Sequence, residues 1–339
     1  MKQFEITEKG NLLDQQGRVA QAGYAKDLIL QYDRQMVQAS KLRIKEWDYY
    51  FVGNKDFGVS MTIADNSYMG LAGVEFYDFA NQKQLDFRHV SILPLGKMNM
   101  PTDSRTGDII YEHRKIQMSM KSYQTHKEIS CSIPNFDGGK TFELDVKLYY
   151  RNEDSMVIAT PFAEKEKAFY YNQKVNNLEA EGVLKIGDEA YDLMNMQGVL
   201  DWGRGVWTYN NTWYWSSASG RLEDGTLFGF NLGYGFSDRS MATENMVFYK
   251  GKAYKLNDVD FGVSDSGYMD PWHFTSSDKA VNMTFQPIHH KDVDINLGVF
   301  RHNPNQVFGL FSGYIKINGE EKIEMNDFFG FAEKVHNKW

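Results

Sequence analysis

Gly182-Val183-Leu184-Lys185-Ile186-Gly187-Asp188-Glu189 returns later in the chain as Gly313-Tyr314-Ile315-Lys316-Ile317-Asn318-Gly319-Glu320. Each copy is a β-rich run ending in a Gly/Asp/Asn turn, the signature of a hairpin. The match continues through a one-residue insertion. Met194 meets Met325, Gly198 meets Gly330, Asp201 meets Glu333, Arg204 meets His336 and Trp207 meets Trp339. Trp47 opens a wide hairpin as Trp213 does. The pattern reads as a duplication: two β-rich halves, each closing with a hairpin and then a Gly–acid–Trp segment. The period is too long for a solenoid unit, so two globular domains are expected. We place them at 1–208, with an N-terminal arm, and 209–339.

Outward from these hairpins, strand signals recur every 8–12 residues or so. Trp47–Val52 and Phe57–Ala64 flank the turn Gly53-Asn54-Lys55-Asp56. Further strands are expected around Gly70–Phe79, Ile109–Tyr111, Lys115–Met120, Glu128–Ile133 and Thr141–Tyr150. In the second half they are expected at Trp213–Ser216, Leu227–Leu232, Met246–Tyr249, Ala253–Leu256, Trp272–Thr275, Val281–Pro287, Ile295–Phe300 and Phe308–Ile317. Leu28 to Ile44 is either a short helix or an extended arm. Antiparallel halves must manage their sheet edges, and curling into a barrel does so. A barrel of about eight strands holds one small ligand, as lipocalins do. The expected fold is therefore all-β, two tandem lipocalin-like antiparallel β-barrels.

Composition agrees. Aromatic residues make up 15% of the 339 residues, with 29 glycines against 7 prolines. Aromatic side chains suit a pleated surface, and glycines suit tight turns. The formal charge is −8 and no basic stripe stands out, which argues against a nucleic-acid partner. The single cysteine, Cys131, reads as a small buried hydrophobe in a strand. No signal-peptide core and no apolar run of membrane-spanning length is seen, so a cytoplasmic protein is expected.

The chemistry concentrates in Gly198-Val199-Leu200-Asp201-Trp202-Gly203-Arg204-Gly205-Val206-Trp207, followed by Trp213-Tyr214-Trp215. Four of the seven tryptophans fall here, beside a carboxylate and an arginine, which makes either an aromatic core or the wall of a ligand site. A carboxyl walled by indoles resists ionisation and can donate a proton. Asp201 is one candidate acid and Glu244 a second. Arg204 is either an orienting charge or the ion-pair partner of Asp201. Trp202, Trp207, Trp213 and Trp215 are candidate ligand contacts, able to stack on a flat or polyene ligand or to shield a carbocation. Asp65, Asn66, Tyr68 and Asn245 are candidate polar contacts, with Asp65-Asn66-Ser67 read equally as a turn. No histidine pattern matches a metal site, no phosphate loop, nucleophile elbow or dinucleotide fingerprint occurs, and no cofactor is expected. Two carboxylates beside an aromatic platform also describe a sugar cleft.

Several segments resemble the tandem lipocalin-like superfamily of carotenoid 1,2-hydratases, AttH-like proteins, tocopherol cyclases and survival-factor lipocalins, and most closely a bacterial and fungal family within it. They are Lys45–Tyr50, Ala64–Gly70, Asn135–Lys140, Gly198–Trp207 and Thr243-Glu244-Asn245. The carotenoid hydratases often carry an acid–His pair in the Trp-rich segment, where this chain has Trp202 beside Asp201. The resemblance implies a large apolar pocket for an isoprenoid, lipid or polyketide-like molecule. It implies either protonation of a carbon–carbon double bond, giving hydration or cyclisation, or a non-catalytic lipid carrier.

Overall fold

A computed structural model describes residues 3–296, 298 and 301–339. The chain is all-β, in two large curled antiparallel sheets that divide between Val206 and Asn210, with a small parallel pair, Gly10–Asn11 beside Leu30–Gln31. In the first sheet the strand order is Lys83–Ile92, Met69–Asp78, Phe57–Asp65, Ile44–Gly53, Gln197–Val206, Lys165–Ile186, Lys140–Tyr150, His126–Asp137, Ile116–Ser122, Ile109–His113. In the second it is Lys252–Lys255, Met246–Tyr249, Leu227–Tyr234, Asn210–Arg221, Glu321–Lys338, Arg301–Ile317, Val281–Asp292, Trp272–Ser276, Val259–Asp260. The orders run in parallel, as a duplication requires. Register makes the equivalence residue by residue: Tyr49 lies opposite Asp201, and Trp215 lies opposite Glu333. Trp47 thus corresponds to Trp213, and Trp207 to Trp339.

Each sheet is a half-barrel, and the first closes through side chains rather than a hydrogen-bonded ladder. In the first, Lys83 reaches Asp137 at 3.0 Å and His89 Nδ1 lies 2.6 Å from Tyr111 Oη. Inside that curl, Tyr50, Val52, Met61, Ile63, Val74, Leu200 and Trp202 fill the core. A second core holds Phe230, Phe274, Phe285 and Phe311 inside the other curl. Both interiors are packed with side chains. Cys131 lies buried in its strand, and burial pushes its thiol up to about 12.

The segment from Leu28 to Ile44 is an extended arm with two short 3-10 turns, Arg34–Met36 and Lys41–Arg43, rather than a helix. Asp33 caps the first by accepting from Gln35 N–H. Earlier in the arm, Gly23–Ala25 adds a strand to Met156–Phe162. The strand expected over Ile295–Phe300 is described only at Ile295–Asn296, the rest lying largely outside the described residues.

Strand alternation gives each sheet a second face. Phe51, on the opposite side of its strand from Tyr50 and Val52, packs on Phe308 at 5.1 Å and Phe331 at 5.8 Å. With Tyr77, Phe79, Val199 and Trp215 these form a third apolar cluster, which joins the two sheets.

Candidate active site

A cavity of about 490 Å³ opens in this junction, beside the third cluster. It lies between the sheets and not inside either curl, because only the outward faces leave space there. Its wall is aromatic: Trp47, Trp207, Trp213, Trp215, Trp339 and Phe236. Trp207 is the hub, edge-on to Trp47 at 5.1 Å, to Trp213 at 5.8 Å and to Phe236 at 4.9 Å, with Trp339 at 6.0 Å. The duplicated tryptophans therefore face one another across the junction.

The Asp-x-Gly-x-Gly spacing has a steric cause. Asp201, Gly203 and Gly205 share the junction face. Gly203 lies opposite Trp47, and a Cβ there would stand 1.9 Å from the indole. Only glycine lets that ring lie across the neighbouring strand.

Three carboxylates line the cavity around one ammonium. Lys174 bonds Asp201 at 2.8 Å, and its Nζ lies 3.8 Å from the Trp215 ring centre. Asn172 also donates to Asp201, at 2.6 Å. Glu333 accepts from Trp213 Nε1 at 3.3 Å. Burial pushes its carboxyl up to about 7; the Asp201 charge adds to this, while Lys174 and Lys291 oppose it. Glu244 accepts from Tyr170 Oη at 3.4 Å. Burial raises it as well, against Lys174 and Arg239. A buried charge needs a partner. Lys174 is taken by Asp201, so the two glutamates are left to favour their neutral forms.

The other end of the cavity is charged. Glu75 joins Arg88 of its own sheet to Lys291 of the other, and Tyr77 donates to it at 2.6 Å. Burial alone would raise this carboxyl, but Lys291 and Arg88 outweigh it and hold it at about 2. His302 stacks on Trp339 at 5.4 Å, and burial holds it down at about 4.

Of the residues singled out from sequence, Asp201, Glu244, Trp207, Trp213, Trp215 and Asn66 line this cavity. Trp202 and Arg204 point the opposite way, into the first core. Trp202 lies edge-on to Tyr171 at 5.6 Å, with the Arg204 guanidinium 4.2 Å from its ring centre. Arg204 pairs with Asp48 at 3.1 Å and donates to the carbonyls of Trp47, Gly203 and Pro101. It does not meet Asp201. Asp65 organises a turn, accepting from the N–H of Ser67, Gly96 and Met98. Asn245 ties strands, accepting from Gly233 N–H and donating to the Asn257 carbonyl. The Tyr68 ring lies under Lys45 Nζ at 4.0 Å.

Glu333, Trp47 and Trp339 were not among the residues chosen from sequence. The internal match had paired Glu333 with Asp201 and Trp339 with Trp207, so the duplication carried the signal. Larger grooves, of about 1300 and 830 Å³, open elsewhere on the surface, but their carboxylates are exposed or half-buried. Among the described residues, no cluster of three His, Cys, Asp or Glu side chains is placed to hold a metal. No helix among them is long and apolar enough to cross a membrane.

The chain belongs to the family described as Domain of unknown function (DUF2804), whose model matches residues 3–339. No curated protein matches it by sequence. Among solved structures, it is similar to kievitone hydratase from Nectria haematococca. The identity is 11%, the match covers 91% of this chain and 92% of that one, and the TM-score is 0.46. It is also similar to an AttH-like protein from Nitrosomonas europaea, at 12% identity over 90% and 96% of the chains, with a TM-score of 0.47. Likeness at this distance transfers no chemistry.

Proposed function

We propose that this member of the DUF2804 family binds a lipophilic, unsaturated small molecule between its two sheets and adds a proton to a carbon–carbon double bond there, giving hydration or ring closure. The observation that carries the reading is two carboxyls, buried Glu244 and half-buried Glu333, set in the aromatic wall of one cavity, with Glu333 pushed up to about 7. A carboxylic acid that stays neutral near neutral pH is a competent proton donor. In the step, the O–H bond breaks, a C–H bond forms, and the other alkene carbon becomes cationic. The indole faces stabilise that cation, and the carboxylate left behind balances its charge. For hydration, water adds to the cation and its proton returns to the carboxylate. For ring closure, a hydroxyl of the ligand takes the place of water.

Asp201, ion-paired with Lys174, is the fixed charge in this scheme rather than the donor. Arg204 supports the strand that carries it, from the other face. The predominantly apolar lining favours a lipophilic ligand over a carbohydrate. Binding without proton transfer would make the same cavity a carrier.

The test is to screen unsaturated isoprenoid and polyketide-like compounds by tryptophan fluorescence, then follow the bound ones for product by mass spectrometry. Glu333→Gln and Glu244→Gln are expected to keep binding, and at least one of them to lose product. Undiminished turnover in both variants removes the acid mechanism. Binding with no product in the native protein leaves the carrier.

A further inference from the structure

The buried and half-buried arginines and lysines around the junction mostly come with a carboxylate. Arg204 has Asp48, Lys174 has Asp201, Lys291 and Arg88 have Glu75, and Arg34 has Glu46. Lys127 and Lys255 donate instead to hydroxyls and carbonyls. Lys45 has neither. It is 3% exposed, and its Nζ has no hydrogen-bond partner. Two aromatic rings flank it, with centres 4.0 Å away in Tyr68 and 5.1 Å away in Trp339. Burial, with Arg43 adding to it, lowers this amine to about 7. The protein has placed an ammonium-forming group where its charge is penalised and has supplied no anion.

Two more polar atoms nearby are also buried and unpaired: Tyr68 Oη and Trp207 Nε1. Gly205 neighbours two of the three residues. It lies cross-strand from Lys45, and a Cβ there would stand 3.3 Å from Trp207 Nε1 and 2.5 Å from the Phe169 carbonyl oxygen. All three unpaired groups can donate, and each stays unsatisfied without an acceptor, a condition native proteins rarely tolerate. Trp207 and Trp339 line the cavity, and Lys45 and Tyr68 lie behind them, with Lys45 Nζ against the Trp339 ring.

We infer that Lys45, Tyr68 and Trp207 form an anchor for the carboxylate of an amphipathic acid whose apolar part fills the junction cavity. This rests on the reading that the cavity takes a lipophilic ligand, and adds which polar group that ligand carries and where it sits. A carboxylate brings one negative charge to one cation and several acceptor lone pairs to three donors. An alcohol or ketone would occupy a donor and leave the ammonium uncompensated.

The experiment titrates the full chain with dodecanoic acid and with dodecan-1-ol at neutral pH, reading tryptophan fluorescence. The acid is expected to bind roughly tenfold or more tighter than the alcohol, the scale of a charge-assisted hydrogen bond. Lys45→Met should abolish that preference and keep the affinity for the alcohol, and Tyr68→Phe should reduce it in part. Lys45→Met should also raise the melting temperature of the ligand-free protein, because it removes an unpaired buried amine. Equal affinity for acid and alcohol overturns the anchor and leaves the lipophilic reading standing. So does an acid preference that survives Lys45→Met, or a melting temperature that falls in that variant. Failure of both compounds to bind overturns the anchor and the lipophilic reading together.

Discussion

Replacing Glu333 with glutamine tests the electrostatic heart of the cavity before any substrate is known. The carboxyl is half-buried in the cavity wall, and its pKa rises from an ordinary 4.5 to about 7, chiefly through burial. Between those values the folded chain holds a proton that the unfolded chain releases. Stability from this group is therefore fully present below about pH 4.5 and is lost as pH rises through about 7. The difference of about 2.5 pH units, at ~1.4 kcal/mol each, amounts to about 3 kcal/mol. Glutamine is nearly isosteric and can still accept from Trp213 Nε1, but it does not titrate. The assay is urea unfolding of both proteins across pH 4.5–8.5. The stability of Glu333→Gln relative to the native protein should climb by about 3 kcal/mol over that range, nearly all of it by pH 8. Other titrating groups cancel in the difference. Parallel curves would refute the claim that this carboxyl enters the fold neutral, and with it the source of the proton.

Three further outcomes follow from the same geometry. Gly203→Ala drives a methyl into the Trp47 ring, so unfolding should show a loss of about 1–3 kcal/mol and near-ultraviolet circular dichroism an altered tryptophan signal. Lys174→Met strands the Asp201 charge and should lose about 3–5 kcal/mol, while adding Asp201→Asn should recover part of that in a double-mutant cycle. Glu75→Gln removes the carboxylate shared by Arg88 and Lys291. Its lowered pKa means stability present above about 4.5 and lost as pH falls toward about 2, so the variant's acid-unfolding limb should be shallower in that window.

The strands were legible because their local signals agree: β-rich runs bounded by Gly, Asn and Asp turns, as where Asn54 Oδ1 accepts from the N–H of Asp56 and Phe57. The arm before Ile44 was not, because its short pieces owe their shape to pairing with distant strands, as Gly23–Ala25 does with Met156–Phe162.

The amino-acid order alone determined the all-β class, the doubling of the strand pattern and the crowding of indoles around one acid, since these depend on spacing and local propensity. It also required Asp201 and Trp202 to point to opposite sides of one strand, because side chains alternate. Which side met the core and which met a cavity was decided only when the first sheet curled and the two sheets docked. Curling of the first sheet turned Trp202 and Arg204 inward, and docking faced Trp207 with Trp339. Docking also brought Glu244, from a loop, and Glu333, from a strand, to the ammonium of Lys174. Proximity between residues a hundred positions apart follows from packing of surfaces, and no local pattern encodes it.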